Sequence, residues 1–190
     1  MAKLVDVAGK RMMTIAMTTL WLGVIGGFVA SAQDKYTVKV PGGLAFSEFR
    51  GYEGWQTIAI SHNPKVVAVI LGNPTMIDAY RAGIPANGKP VPDGARMAKI
   101  HWLPKPNAFF EEATVPGELL NVDFMVKDSK RFADSGGWGY AVFDYNAATK
   151  TFTPGTTAGT PPQGNDAKCG FACHTTAKAR DYVFTEYGTR

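Results

Sequence analysis

The pattern of apolar and polar positions divides the chain near residue 32. From Met12 to Ala30 almost every position is apolar or neutral, with Trp21, Leu22, Val24, Ile25, Phe28 and Val29 in the run. Beyond Gln33 the apolar residues come in short blocks between turn formers. Residues 55–60 and 65–71 are two such blocks, rich in β-branched side chains and separated by the turn cluster Ser61-His62-Asn63-Pro64; they read as two strands. Asn73-Pro74 then predicts a helix, with Asn73 as N-cap, Pro74 at the first helical position and Gly83 after the last turn. Met76, Ile77 and Tyr80 fall on its core face. Residues 83–94 are loop, rich in Pro and Gly. Strand patterns return at 96–102, 120–126 and 138–145. A short helix is expected to start at Asp128, to cover 129–133 and to stop at Gly136-Gly137. Residues 151–165, rich in Thr, Pro and Gly, read as a loop. The predicted architecture is α+β but mostly β: one antiparallel sheet with a few short helices packed on it.

The first segment changes the picture of where the protein works. Lys3, Lys10 and Arg11 precede the apolar run, and Ala30-Ser31-Ala32 follows it as a small-x-small cleavage site. That is the layout of a secretory signal over residues 1–32. A membrane anchor of about 20 residues is the competing reading; Thr14, Thr18, Thr19 and the glycines weaken it. Residues 33–190 are then one exported domain, expected in the periplasm and not membrane-embedded after cleavage. It is long enough to bury a core. The chain's net charge is +4. Removing Lys3, Lys10 and Arg11 together with Asp6 leaves about +2, with no basic run, so nucleic acid is not an expected partner.

The candidate chemistry sits in Cys169-Gly-Phe-Ala-Cys173-His174, which holds the only two cysteines of the chain. Two thiols can add to the two vinyl groups of haem, and the adjacent imidazole can reach the iron. This is the logic of c-type haem attachment, usually C-x-x-C-H. Here three residues separate the cysteines, so the extra one needs a bulged turn or leaves one thioether strained or missing. Three other readings stand beside haem: a short-loop disulfide, a zinc site with Cys169, Cys173 and His174 as ligands but no evident fourth, or free thiols.

Residues further along add to the haem reading. Cys173-His174 with Ala177-Lys178-Ala179-Arg180-Asp181-Tyr182-Val183-Phe184-Thr185 resembles the C-terminus of the cytochrome P-460 family, which includes the cytochrome c′-beta branch. Val122-Asp123-Phe124-Met125-Val126-Lys127-Asp128-Ser129-Lys130 and Gly136-Gly137-Trp138-Gly139-Tyr140 are similar to its central stretch. So are Ala79-Tyr80-Arg81-Ala82-Gly83, Pro92-Asp93-Gly94 and Ala98-Lys99-Ile100-His101-Trp102. The resemblance covers most of residues 45–190. It implies covalent haem c on a C-terminal attachment helix, with iron held by His174 as proximal ligand and the opposite side open. It also implies a role for Lys99, because a lysine on a strand after a Pro-Asp-Gly turn is tied covalently to the haem ring in the hydroxylamine-oxidising members. Strand alternation permits that placement: Ala98, Ile100 and Trp102 point one way, and Met97, Lys99 and His101 the other.

Two functions follow from the resemblance. One is oxidation of hydroxylamine to nitrogen oxides, with Lys99 as a catalytic, haem-bound residue and electrons passed to an acceptor. The other is nitric oxide binding without turnover. Plain electron transfer, a weaker third reading, needs a sixth ligand from Met76, Met97 or Met125, none of which has a signal of its own. A distal carboxylate, as some oxidising members carry, is not placed by the sequence; Asp166, Glu111, Glu112 and Asp123 are candidates. Arg50 is a candidate propionate contact or a surface arginine. His62 is expected in an exposed turn, and His101 as a bystander. Phe171, Phe184 and Tyr187 are candidates for apolar cover. A homodimer, common in the family, would suit the strand-rich body.

Overall fold

The computed structural model describes residues 33–40, 43–155 and 170–189. The expected signal at 1–32, Asp166 and Cys169 lie outside the described residues. Six strands follow one another across a single sheet: β1 (Gln56–Asn63), β2 (Val66–Gly72), β3 (Arg96–Pro106), β4 (Thr114–Lys127), β5 (Trp138–Asn146) and β6 (Thr151–Pro154). Every strand pairs antiparallel with its neighbour in sequence. The expected α+β, mostly β architecture is therefore what the chain adopts.

The two faces of the sheet carry different layers. On one face Ala98, Val122, Phe124, Val126, Ala141 and Phe143 join Phe46, Phe49 and Tyr52 from the N-terminal segment. That segment makes three short 3-10 turns, Lys35–Thr37, Phe46–Phe49 and Tyr52–Gly54. Phe46 and Phe49 are fully buried; the Phe46 ring meets Phe124, Phe143 and Phe152 at centroid distances of 5.2, 4.8 and 4.9 Å. The other face carries Ile70, Met97, Met125, Trp138 and Tyr140. Its cover comes from α1 (Pro74–Arg81) and from a C-terminal segment with α2 (Gly170–His174) and a 3-10 stretch (Thr175–Arg180).

Helix α1 forms where its signals predict. Asn73 Oδ1 accepts from Met76 N and also from Arg96 N, while its amide donates to Gly94 O. One side chain thus caps the helix and ties it to the start of β3. Gly83 adopts a φ of +77°, as a residue past the last turn requires.

Three sequence expectations are corrected. No helix spans 129–133: the Asp128 carboxylate accepts from Lys130 N and Arg131 N, and Asp93 accepts from Ser129 N and Oγ. The Asp128 contacts cap a single turn, closed by Phe132 N on Asp128 O, but Gly137 N then takes Phe132 O and Gly136 and Gly137 adopt φ of +68° and +82°, so the chain makes turns and a 3-10 helix at Ala133–Ser135. The loop expected at 151–165 opens instead as β6, an edge strand. His62 lies within β1, still exposed, because β1 runs to Asn63 and the turn is only Pro64-Lys65, with Asn63 Oδ1 accepting from Lys65 N and Val66 N. Among the described residues no helix is long and apolar enough to cross a membrane.

Candidate functional site

The second sheet face and the C-terminal segment enclose a cavity of about 400 Å³. Its floor is sheet: Ile70 from β2, Met97 and Lys99 from β3, Asp123 and Met125 from β4, Tyr140 from β5. Its other wall is α2 with the C-terminal stretch beyond it, and contributes Gly170, Cys173, His174, Val183 and Phe184. The structure thus brings Lys99, Cys173 and His174 to one space, although 70 residues and more separate the lysine from the others in sequence. Strand alternation is the reason: Ala98 and Ile100 pack in the aromatic layer, which turns Met97 and Lys99 to the cavity.

Helix α2 is held against the sheet by close approach at Gly170. A Cβ there would lie 2.8 Å from Tyr140 Cβ and 2.9 Å from its Cγ, so only glycine fits without a shift. Phe171 stacks on Tyr182 at 5.9 Å. Further along, Tyr80 of α1 stacks on Tyr187 at 5.5 Å, and its hydroxyl donates to Thr185 O at 3.1 Å. Cys173 is exposed and has no disulfide partner among the described residues.

His174 has a defined tautomer. Its Nδ1 lies 2.6 Å from the Tyr182 carbonyl oxygen. A carbonyl only accepts, so Nδ1 carries the proton and Nε2 keeps its lone pair. Burial lowers the imidazole pKa, opposed by the Tyr182 hydrogen bond and aided by the positive charge of Lys99. A neutral imidazole with Nδ1 engaged and Nε2 available is the form in which histidine ligates a metal. The ring sits 5.2 Å from Tyr140 and 4.7 Å from Phe184, centroid to centroid.

Across the floor, Lys99 and Asp123 stand directly opposite one another on β3 and β4. Burial pushes the Asp123 carboxyl up to about 7; Lys99 pulls it down, and Asp144 adds to the rise. Asp123 Oδ1 is buried and has no protein hydrogen-bond partner, and its Oδ2 lies 3.7 Å from His101 Nδ1. The carboxylate is one of four candidates in the sequence, and the structure separates it from two of the others: Glu111 and Glu112 are exposed in the loop between β3 and β4. What singles it out is cross-strand register, which a one-dimensional pattern does not contain. The Tyr140 hydroxyl is the other buried polar atom of the cavity lining without a partner, and burial raises its pKa.

The remaining candidates fall elsewhere. Arg50 is exposed and lies 3.7 Å over the Tyr36 ring, against the aromatic layer rather than the cavity. His101 donates through Nδ1 to the Asn121 side-chain oxygen and is outside the lining. Met76 is buried under α1, whereas Met97 and Met125 are both in the cavity wall. Phe171 packs on the apolar layer beside the cavity, Phe184 lines it, and Tyr187 stacks on Tyr80 instead.

The donor set fits a haem. There is one imidazole with an available Nε2, a thiol beside it, apolar walls, and two buried polar atoms that the protein leaves unsatisfied. Among the described residues no group of three or more His, Cys, Asp or Glu side chains is placed to hold a bare metal ion. The family model described as Cytochrome P460 matches residues 49–185, which spans the sheet, the cavity floor and the histidine. None of the curated proteins matches the chain.

Proposed function

Because the chain belongs to the cytochrome P460 family and is therefore a haem protein, we propose that it is an exported, periplasmic oxidase of hydroxylamine whose covalent haem c occupies this cavity. In this reading Cys169 and Cys173 would hold the porphyrin and His174 would hold the iron through Nε2. A bound haem would supply redox chemistry at iron for a nitrogen substrate, with an external acceptor for the electrons.

The observation that carries the reading is the Lys99–Asp123 pair on the floor. Hydroxylamine loses protons as it is oxidised, and a carboxyl with a pKa near 7 is suited to accept one at neutral pH. Its unpartnered Oδ1 leaves an acceptor position open. Lys99 has its amine on the same floor, where it can reach a porphyrin edge and form the cross-link that the family resemblance implies. The apolar side chains Ile70, Met97, Met125, Val183 and Phe184 line the space and suit a small uncharged nitrogen compound.

Those same walls support a second reading, capture of nitric oxide without turnover, since a neutral diatomic gas needs no base. Lys99→Ala separates the two. The hydroxylamine reading expects the C169A/C173A variant, with Lys99 intact, to keep its haem mass under denaturing conditions. It also expects Lys99→Ala to lose oxidation at least tenfold while ferrous protein still binds nitric oxide. Unchanged oxidation, or none in the wild type, sinks it. A six-coordinate spectrum that becomes five-coordinate in Met97→Leu or Met125→Leu would instead move the protein to electron transfer.

A further inference from the structure

The carbonyl that orients His174 belongs to an unusual turn. Asp181 and Tyr182 are consecutive non-glycine residues with φ of +48° and +64°. Left-handed backbone is disfavoured for any ordinary residue, and a bulky side chain such as Tyr is an outlier there. Such a pair persists only where its surroundings hold it.

Four contacts from separate parts of the fold do so. Lys127, the last residue of β4, is 7% exposed in its side chain, and its Nζ donates to Asp181 Oδ1 at 2.8 Å and Oδ2 at 2.9 Å. Its third donor goes to Gly136 O at 2.9 Å, so the ammonium is fully used. Asp181 Oδ2 also accepts from Val91 N at 2.7 Å. The Asp181 carbonyl accepts from Trp138 Nε1 at 2.8 Å. Gly136 yields the space for the neighbouring ring: a Cβ there would lie 2.1 Å from Tyr182 Cε2.

A buried ion pair of this kind is weak evidence for stability in itself, because desolvation offsets the attraction. Its geometry has a different consequence. If the turn relaxed to right-handed backbone, the Tyr182 peptide plane would rotate and its oxygen would leave His174 Nδ1. We propose that the Lys127–Asp181 pair is a positioning device for the proximal histidine: it locks the left-handed turn that aims the Tyr182 carbonyl at Nδ1 and so sets how strongly Nε2 donates to a bound haem iron. This rests on His174 being the axial ligand.

The test uses the haem-loaded protein and reads the iron–histidine stretching band in the ferrous resonance Raman spectrum, together with the midpoint potential. A strong hydrogen bond on Nδ1 makes the imidazole more basic, which favours the ferric state. Asp181→Asn, whose side chain tolerates left-handed backbone, and Lys127→Gln are each expected to lower the band frequency and raise the potential. The double change is expected to shift no further than the larger single one, since both act through one turn. If a lone buried charge unfolds either variant, K127M/D181N removes both charges together and reports the same shift. Variants that lose thermal stability but keep the wild-type band and potential overturn the proposal. His174→Ala is read alongside: a band that survives it shows that another residue ligates the iron, which overturns the site assignment and the proposal with it, whereas a band lost in His174→Ala but unmoved in the Lys127 and Asp181 variants overturns the clamp alone.

Discussion

At the scale of single residues the site is built from groups whose ionisation the fold has displaced. Asp123 is held at about 7 by burial, with Lys99 opposing and Asp144 reinforcing the shift, and with His101 beside it. An unfolded aspartate titrates near pH 4. Between those values the folded chain keeps a proton that the unfolded chain has released, so stability falls as pH rises through that window and is level above about 7. Asp123→Asn is expected to be more stable than the wild type at pH 8 and equal to it at pH 4, measured by denaturant unfolding; under the proposed function it also loses the oxidation of hydroxylamine. An equal gain at both pH values would show that the carboxyl is not shifted. Lys99 is legible in the sequence because the family resemblance marks it and alternation along the strand permits its face. Asp123 is not, because a carboxylate alternating with apolar residues on a strand looks the same whether it meets water or a cavity. The partner of His174 is invisible for another reason: it is a backbone oxygen, set by the conformation of Asp181 and Tyr182 rather than by any side-chain signal.

At the scale of elements, α1 and the central strands are readable because each carries its own punctuation. Asn73, Pro74 and Gly83 bound the helix, and glycine pairs and Pro-rich loops bound the strands. The departures at Asp128 and at β6 share a cause. In both places the outcome depends on where distant groups lie: Asp93 reaches Ser129, and Phe143 and Asp144 supply the ladder for Pro154 and Thr153. Helix α2 is foreseeable from the motif that ends in Cys173-His174, but its seat on β5 is not. That seat is Gly170 against Tyr140. Gly170→Ala is expected to push α2 off the sheet and to cost about 1–3 kcal/mol as an overpacked contact, with a fall in the haem-to-protein ratio. Gly54→Ala, where a Cβ meets nothing within 4 Å, serves as the control. Equal haem content in the two variants would show that α2 adapts without loss.

At the scale of the molecule the two faces of the sheet divide the work. The aromatic layer around Phe46 holds the domain together and contributes no polar group to the cavity. Phe46→Ala removes a fully buried ring in contact with Phe124, Phe143 and Phe152, and is expected to cost about 3–5 kcal/mol. The fraction that remains folded should keep the wild-type ferrous spectrum; a changed spectrum would mean that the two faces are coupled through the sheet. The meander has one more consequence. Because every strand pairs with its neighbour in sequence, the ladder is assembled from short chain closures, which lose little entropy and form quickly. The wall that bears His174 comes after all six strands along the chain and meets the sheet only over long separations. A slow last step therefore falls on the segment that bears His174, and the floor with Lys99 stands complete before α2 closes over it.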